Sequence, residues 1–196
     1  PKIQALAKAE KASIWFGDEA GVRSDYHRGT TWAPVGETPV VRSTGARYRW
    51  NMISAVNGRG DLRFMLTAKA VTAKVFMEFL CRLITGSQRP VFLIVDGHPS
   101  HRSPVVRQFL RQHEGRIRLF YPPPNWPELN PDEPVWRKVK AHRSGRKALA
   151  REQEMKQHLL RDLRQLQRAP HKIRASFGTP ETADTMAAYI YYLRNS

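Results

Sequence analysis

The run Pro90-Val91-Phe92-Leu93-Ile94-Val95-Asp96-Gly97-His98 constrains the fold more than any other stretch. Five consecutive apolar residues, four of them β-branched or aromatic, end abruptly in an acid and a glycine. Such a run closed by a turn signal is a buried strand of a parallel or mixed sheet. That sheet needs helices on its faces. A carboxylate at the C-terminal tip of a central strand then stands where open α/β sheets place their chemistry. Taken alone, Asp96 serves equally well as a turn residue before Gly97. Two further acids in matching contexts tilt the reading toward a site.

The flanking patterns supply the rest of the sheet. Residues 13–21 (SIWFGDEAG) read as a first strand ending in an acidic turn at Asp18 and Glu19. Residues 22–45 are polar and rich in Arg, Gly, Thr and Pro, an extended hairpin or loop carrying Trp32. Residues 47–57 (RYRWNMISAVN) form a second strand, Asn57-Gly58-Arg59-Gly60 a hairpin turn and residues 62–67 a third strand. The period then changes. Thr72 caps a helix with Val75, Phe76, Phe79, Leu80, Leu83 and Ile84 on one face, and Gly86 stops it. After the Asp96 strand, Ser103-Pro104 opens a helix with Val105, Val106, Phe109 and Leu110 apolar, ended by Gly115. Residues 117–121 are a fifth strand before three prolines, and Asn130-Pro131 starts a helix bearing Val135, Trp136 and Val139.

The order β-β-β-α-β-α-β-α predicts an α/β fold. Three antiparallel strands run into parallel crossovers, giving a mixed five-stranded sheet flanked by helices, which resembles the RNase H-like topology. Residues 151–168 continue as a helix with Met155, Leu159, Leu163 and Leu166 aligned, and a last helix is capped by Thr179-Pro180 and carries Met186, Ile190 and Leu193. The expected division is a linker remnant over 1–12 with no partner segment, an RNase H-like domain over 13–143, and a C-terminal helical extension of the same domain over 144–196. A chain of 196 residues suffices for one sizeable core. No run approaches the roughly 18 apolar residues of a membrane span. The single Cys81 excludes an internal disulfide, fits a reducing cytoplasm and is expected to pack in the core.

Charge narrows the partners. Lys and Arg number 33 against 17 Asp and Glu, a net charge of +16. Such a field favours a polyanion, nucleic acid before membrane, because no basic amphipathic helix with Trp or Phe on its apolar face is evident. From Arg137 to Arg174 there are thirteen Lys or Arg and three Asp or Glu. Arg137, Lys138, Lys140, Arg143, Arg146 and Lys147 are therefore candidate phosphate contacts, although an ordinary solvated helix face has the same composition.

The acids carry the chemistry. In the expected topology the first and fourth strands are central neighbours, so Asp18 and Asp96 converge, and Glu133 in the first turn of the following helix packs across the same edge. Three carboxylates in one place repel and desolvate one another unless divalent cations lie between them. Hard oxygen donors suit Mg²⁺ or Mn²⁺. Two such ions about 3.5–4 Å apart clamp both oxygens of an in-line phosphoryl transfer. Each acid also has a plain alternative: Asp18 and Glu19 as a polar turn, and Asn130, Pro131 and Glu133 as a capping box. His98 and His101 suggest a zinc pair, but two ligands in a loop are too few.

The segments FGDEAG, VDGHPSH and PPPNWPELNPDEPVW resemble the catalytic blocks of the DDE transposases of the mariner-like superfamily, particularly its bacterial insertion-sequence branch. The third block is the most specific, against a family form close to PPYSPELNPIExxW. Thirty-six residues lie between Asp96 and Glu133, near the mid-thirties spacing of that family, and the resemblance covers about residues 13–143. It implies catalytic and metal-binding roles for Asp18, Asp96 and Glu133, with Mg²⁺ as cofactor and Mn²⁺ as substitute. Asp132 stands where the family has an apolar residue. The second block, usually DNAPSHRS, reads DGHPSHRS here, so His101 fits and Gly97 and His98 depart. Glu19, His101 and Asp132 are expected near the site or its substrate. Residues 23–45, with Trp32, fall where relatives carry a loop that clasps the partner subunit of a homodimer. The implied substrate is double-stranded DNA, both transposon ends and target, in a cytoplasmic, nucleoid-associated setting without membrane. Relatives recognise their ends through N-terminal helix-turn-helix domains; no such pattern is found here, so the chain reads as a catalytic domain. The expected activity is end cleavage and strand transfer. The alternatives are an RNase H-like nuclease that never joins, and a domesticated DNA-binding module without catalysis.

Overall fold

In the computed structural model, residues 2–24, 48–121, 130–141 and 151–177 are described. The strands are β1 (Ser13–Arg23), β2 (Arg49–Asn57), β3 (Leu62–Thr67), β4 (Val91–Ile94) and β5 (Ile117–Phe120). They form one sheet in the order β3-β2-β1-β4-β5. β1 pairs antiparallel with β2 and β2 with β3, whereas β1–β4 and β4–β5 are parallel. This is the mixed five-stranded sheet expected, with β1 at its centre.

Alternation along the strands sorts side chains to two faces. Trp15, Ile53, Leu93 and Val95 meet Val75, Phe76, Phe79, Leu80 and Leu83 of α2 (Ala73–Thr85) and Val106 and Phe109 of α3 (Pro104–Gln112). The opposite face carries Ala20, Trp50, Met52, Val56 and Leu62. It is covered by Val135 and Trp136 of α4 (Glu133–Ala141), by Met155, Leu159 and Leu163 of α5 (Glu152–Gln167), and by Ile173 of α6 (Pro170–Arg174). Because β1 and β4 are covered on both sides, they read as apolar runs rather than alternations. Two glycines are required by close approach. A Cβ on Gly17 would stand 3.1 Å from Val95 Cγ1, where β1 and β4 pack. Gly60 has φ +91° in the hairpin turn, and a Cβ there would lie 2.4 Å from the Pro170 carbonyl oxygen.

Several expectations are corrected. Residues 2–9, expected as part of a linker without a partner, form a helix, α1 (Lys2–Ala9). Its Ile3 and Ala7 are buried against Phe92 and Ile94. β1 does not end at the acidic pair: it runs to Arg23, and Asp18 pairs with Ser54 in mid-strand. Cys81 is exposed, because it lies about 150° around α2 from the centre of the buried stripe. Val105 is 51% exposed, since α3 turns Val106 and Phe109 inward instead. The Asn130 carbonyl and side chain accept from the Glu133 and Asp132 amides, but the Glu133 carboxylate faces Arg137, so the reciprocal half of a capping box is not formed. Trp32, Arg143, Arg146, Lys147 and the Thr179-Pro180 helix lie outside the described residues, as do the side chains of Lys138 and Lys140. Among the described residues no helix is long and apolar enough to cross a membrane.

Candidate active site

The site grows from the register of the two central strands. Phe16 is level with Ile94 at the end of the β1–β4 ladder, on the face that α4 and α5 cover. Two residues beyond this pair, Asp18 continues β1 while Asp96 lies just past the end of β4, and the two carboxylates are electrostatically coupled. α4 enters across this edge. It is tied down by Asn130, whose side-chain amide donates to the Gly17 carbonyl at 3.0 Å while its Oδ1 accepts from the Asp132 amide at 3.0 Å. That tether sets Glu133 at the first turn of α4 beside the β1 acid.

The electrostatics register this convergence. Burial is the largest influence on the Asp18 carboxyl, followed by an opposing hydrogen bond from the Glu19 amide at 2.8 Å. The charges of Asp96, Glu133 and Glu19 add to the burial, and the group is pushed up to about 7. Asp96 behaves oppositely: hydrogen bonding to His101 holds it below the usual carboxylate range, against the effect of burial. Neighbouring acids driven apart in this way are the pattern expected of a candidate site. Glu133 has a half-exposed side chain, and Arg137 one turn along is 3.8 Å away.

His101 is the hub of the other side. Its ring is buried and stacks on Phe76 with centroids 4.1 Å apart. Nδ1 lies 3.0 Å from Asp96 Oδ1 and 3.1 Å from the Asp96 carbonyl, and Nε2 lies 2.9 Å from Glu19 Oε1. Burial pulls its titration down, but the bonds to Asp96 and Glu19 outweigh this and it is pushed up to about 9. The imidazole is therefore cationic at neutral pH in the metal-free chain and locks Asp96 in place.

Asp132 occupies a different environment. It is completely buried, with Oδ2 hydrogen-bonded to the Ser54 hydroxyl. Burial drives its carboxyl well above the ordinary value, and the Asp18 charge adds to this. Expected near the substrate, it has no surface to present to one. Ser54 and Asn130 were not singled out as site residues. Ser54 had a signal, a hydroxyl inside the apolar run NMISAV; Asn130 had only its capping pattern.

The sequence profile of the DDE superfamily endonucleases matches residues 13–156. The chain belongs to this family. No curated protein matches in sequence. Among solved structures, the Mos1 transposase paired-end complex with left transposon end superposes with a TM-score of 0.59 at 17% identity, covering 91% of this chain and 60% of that one. The catalytic domain of Mos1 mariner transposase gives 0.52 at 14% identity, covering 91% and 89%. The chain thus spans about 60% of the full transposase and nearly all of its catalytic domain. The similarity shows that this DDE family member has the RNase H-like fold of that domain. Another match is a Mos1 paired end complex with Mg, at a TM-score of 0.57 and 17% identity.

For a divalent cation the donor set fits. Asp18, Asp96 and Glu133 are all hard oxygen donors, but their oxygens do not all lie within 4.8 Å of one another; among the described residues the group that does is Glu19, His98 and His101. In the metal-free chain Asp18 relieves the crowding by holding a proton near neutrality. Asp18, Asp96 and Glu133 would hold a divalent cation, whose charge would let all three stay ionised.

Proposed function

We propose that this chain is the catalytic domain of a DNA transposase, cutting transposon ends and joining them to target DNA. The observation that supports the reading is the electrostatic coupling of Asp18 to Asp96 and Glu133 in a DDE family member. Asp18 and Asp96 would hold a first divalent ion between them, with Glu133 and one of the two Asp carboxylates holding a second, Mg²⁺ or Mn²⁺. When bound, such ions activate the attacking oxygen and stabilise the leaving one in an in-line displacement at phosphorus. His101, through Nδ1, fixes the Asp96 carboxylate so that its other oxygen stays free toward the cation. Glu19 orients His101 from the far side. Asn130 holds the start of α4 against β1 and so positions Glu133. Arg137, exposed beyond Glu133, and the basic residues that follow it would take the DNA backbone.

Mos1 supports the choice of substrate, since its complexes hold transposon ends and one is a strand transfer complex. By extension the working unit here is a homodimer in the cytoplasm, with residues 23–45 as the clasp. The assignment to the bacterial insertion-sequence branch rests on the three sequence blocks alone. The test is Mg²⁺-dependent nicking of supercoiled plasmid, followed by joining of an oligonucleotide with a free 3′-hydroxyl to that plasmid. Nicking and joining, both lost in Asp96→Asn while DNA binding persists, are expected. Nicking without joining favours a hydrolytic nuclease, and DNA binding without either favours a non-catalytic module.

A further inference from the structure

We propose that Glu19, His98 and His101 form a binding site for a zinc-class transition metal, separate from the three-carboxylate cluster, through which the ion shuts the enzyme down. From sequence the two histidines lack a third ligand. The fold supplies it from β1: one donor atom from each of Glu19, His98 and His101 lies within 4.8 Å of the others. Donors around a tetrahedral zinc ion are about 3.4 Å apart, given bonds of about 2.0–2.1 Å, so small side-chain shifts close the site. Glu19 Oε1 and His101 Nε2, at 2.9 Å, already face one another.

The surroundings are those of a supported ligand set. A ligating histidine ordinarily gives its other ring nitrogen to a carboxylate, which fixes the tautomer and leaves the ligating nitrogen with a free lone pair. His101 has this arrangement, Nδ1 on Asp96 Oδ1 at 3.0 Å and the ring stacked on Phe76. The His98 ring is held by Ser100 instead of a carboxylate: Nδ1 accepts from the Ser100 amide at 3.3 Å and lies 2.7 Å from its hydroxyl. An entry path exists: a cleft of about 410 Å³, lined in part by Glu19, Arg49, Asn51 and His98, opens onto the donors. Two imidazoles select zinc, cobalt or nickel over magnesium, so excess Mg²⁺ does not fill this site. One carboxylate, Asp96, then serves both places. A dication on His101 repels cations from Asp96 and reduces its capacity to hold the catalytic ion.

The test uses the purified chain in excess Mg²⁺. Zn²⁺ uptake is followed by calorimetry, and Co²⁺ uptake by visible absorption. One ion per chain is expected, with the absorption of a low-coordinate nitrogen–oxygen site. His98→Ala and Glu19→Gln should weaken uptake by more than about tenfold, and the double variant Asp18→Asn/Glu133→Gln should leave it intact. Zn²⁺ should inhibit Mg²⁺-dependent nicking in the wild type at concentrations at least about tenfold lower than in His98→Ala, the same weakening seen through activity. Uptake insensitive to His98→Ala, or uptake abolished by the Asp18/Glu133 double variant, overturns the proposal. So does zinc inhibition equally strong in wild type and His98→Ala. The uptake arms stand whether or not the chain nicks DNA, so failure of this site and failure of the DNA reading are told apart.

Discussion

Asp132 and Glu133 adjoin in the chain yet sit in different solvents. Asp132 is completely buried on Ser54, whereas Glu133 reaches the open edge of the sheet. Under the proposed function the second is the one that holds an ion with Asp18 and Asp96, so Glu133→Gln should reduce nicking by more than about 100-fold, since even outer partners of a metal ligand are worth about 10–100-fold. Asp132→Asn keeps an acceptor for Ser54 and removes a costly charge. It should retain nicking and melt higher than the wild type at neutral pH, in parallel nicking and melting assays. His101 acts through Asp96. His101→Gln is expected to lose about 10–100-fold, mainly as a higher Mg²⁺ requirement in a titration rather than a lower rate at saturation. Asp18 gives a pH signature. Its folded value of about 7 lies above the ordinary 3.8, so its contribution is fully present below about pH 4 and is lost as pH rises through about 7. Mg²⁺ cancels that loss. The Mg²⁺-induced rise in Tm should therefore be larger near pH 8 than near pH 5, and Asp18→Asn should flatten the difference.

At the scale of elements, α5 is core rather than appendage. Met155, Leu159 and Leu163 are buried against β2 and β3, the half of the sheet that α2 and α3 do not cover from that side. Leu159 is fully buried. Leu159→Ala should cost about 2–5 kcal/mol in urea unfolding and lower nicking only as far as it unfolds the chain. The stripe of α5 was legible because Met155, Leu159, Leu163 and Leu166 repeat at helical spacing. α2 was legible for the same reason, and its six expected inward residues are the six buried ones. α1 was not: only Ile3 and Ala7 of its residues are buried, too few to distinguish a docked helix from a charged linker. The extent of β1 was missed because Asp18 and Glu19 look like a turn. What keeps them in a strand is continued pairing with β2, from Asp18↔Ser54 to Arg23↔Arg49.

At the scale of the molecule, the excess of +16 would make the proposed DNA binding a matter of counterion release. Binding to a random duplex should weaken steeply with salt. Arg137→Ala should reduce the slope of log K against log salt by about one, with little sequence dependence, in a fluorescence titration. An unchanged slope would remove Arg137 from the DNA path. Under the proposed function the positive field gathers the polyanion toward Asp18 in the middle of β1 and Asp96 just past β4.

By itself the sequence determined the strand order, the helices from α2 to α5 and the two-sided cover of the central strands, and it offered three acids as candidates, because each is encoded in local period, turn chemistry and short blocks. Contacts between residues far apart in the chain were decided only in three dimensions. The Asn130–Gly17 bond tied the start of α4 to β1, and the depth of the α4 entrance buried Asp132 while leaving its neighbour half-exposed. The trio of Glu19, His98 and His101 is of the same kind. Its members lie on a strand and in a turn some eighty residues apart in sequence, and no local pattern reports a distance across a sheet edge.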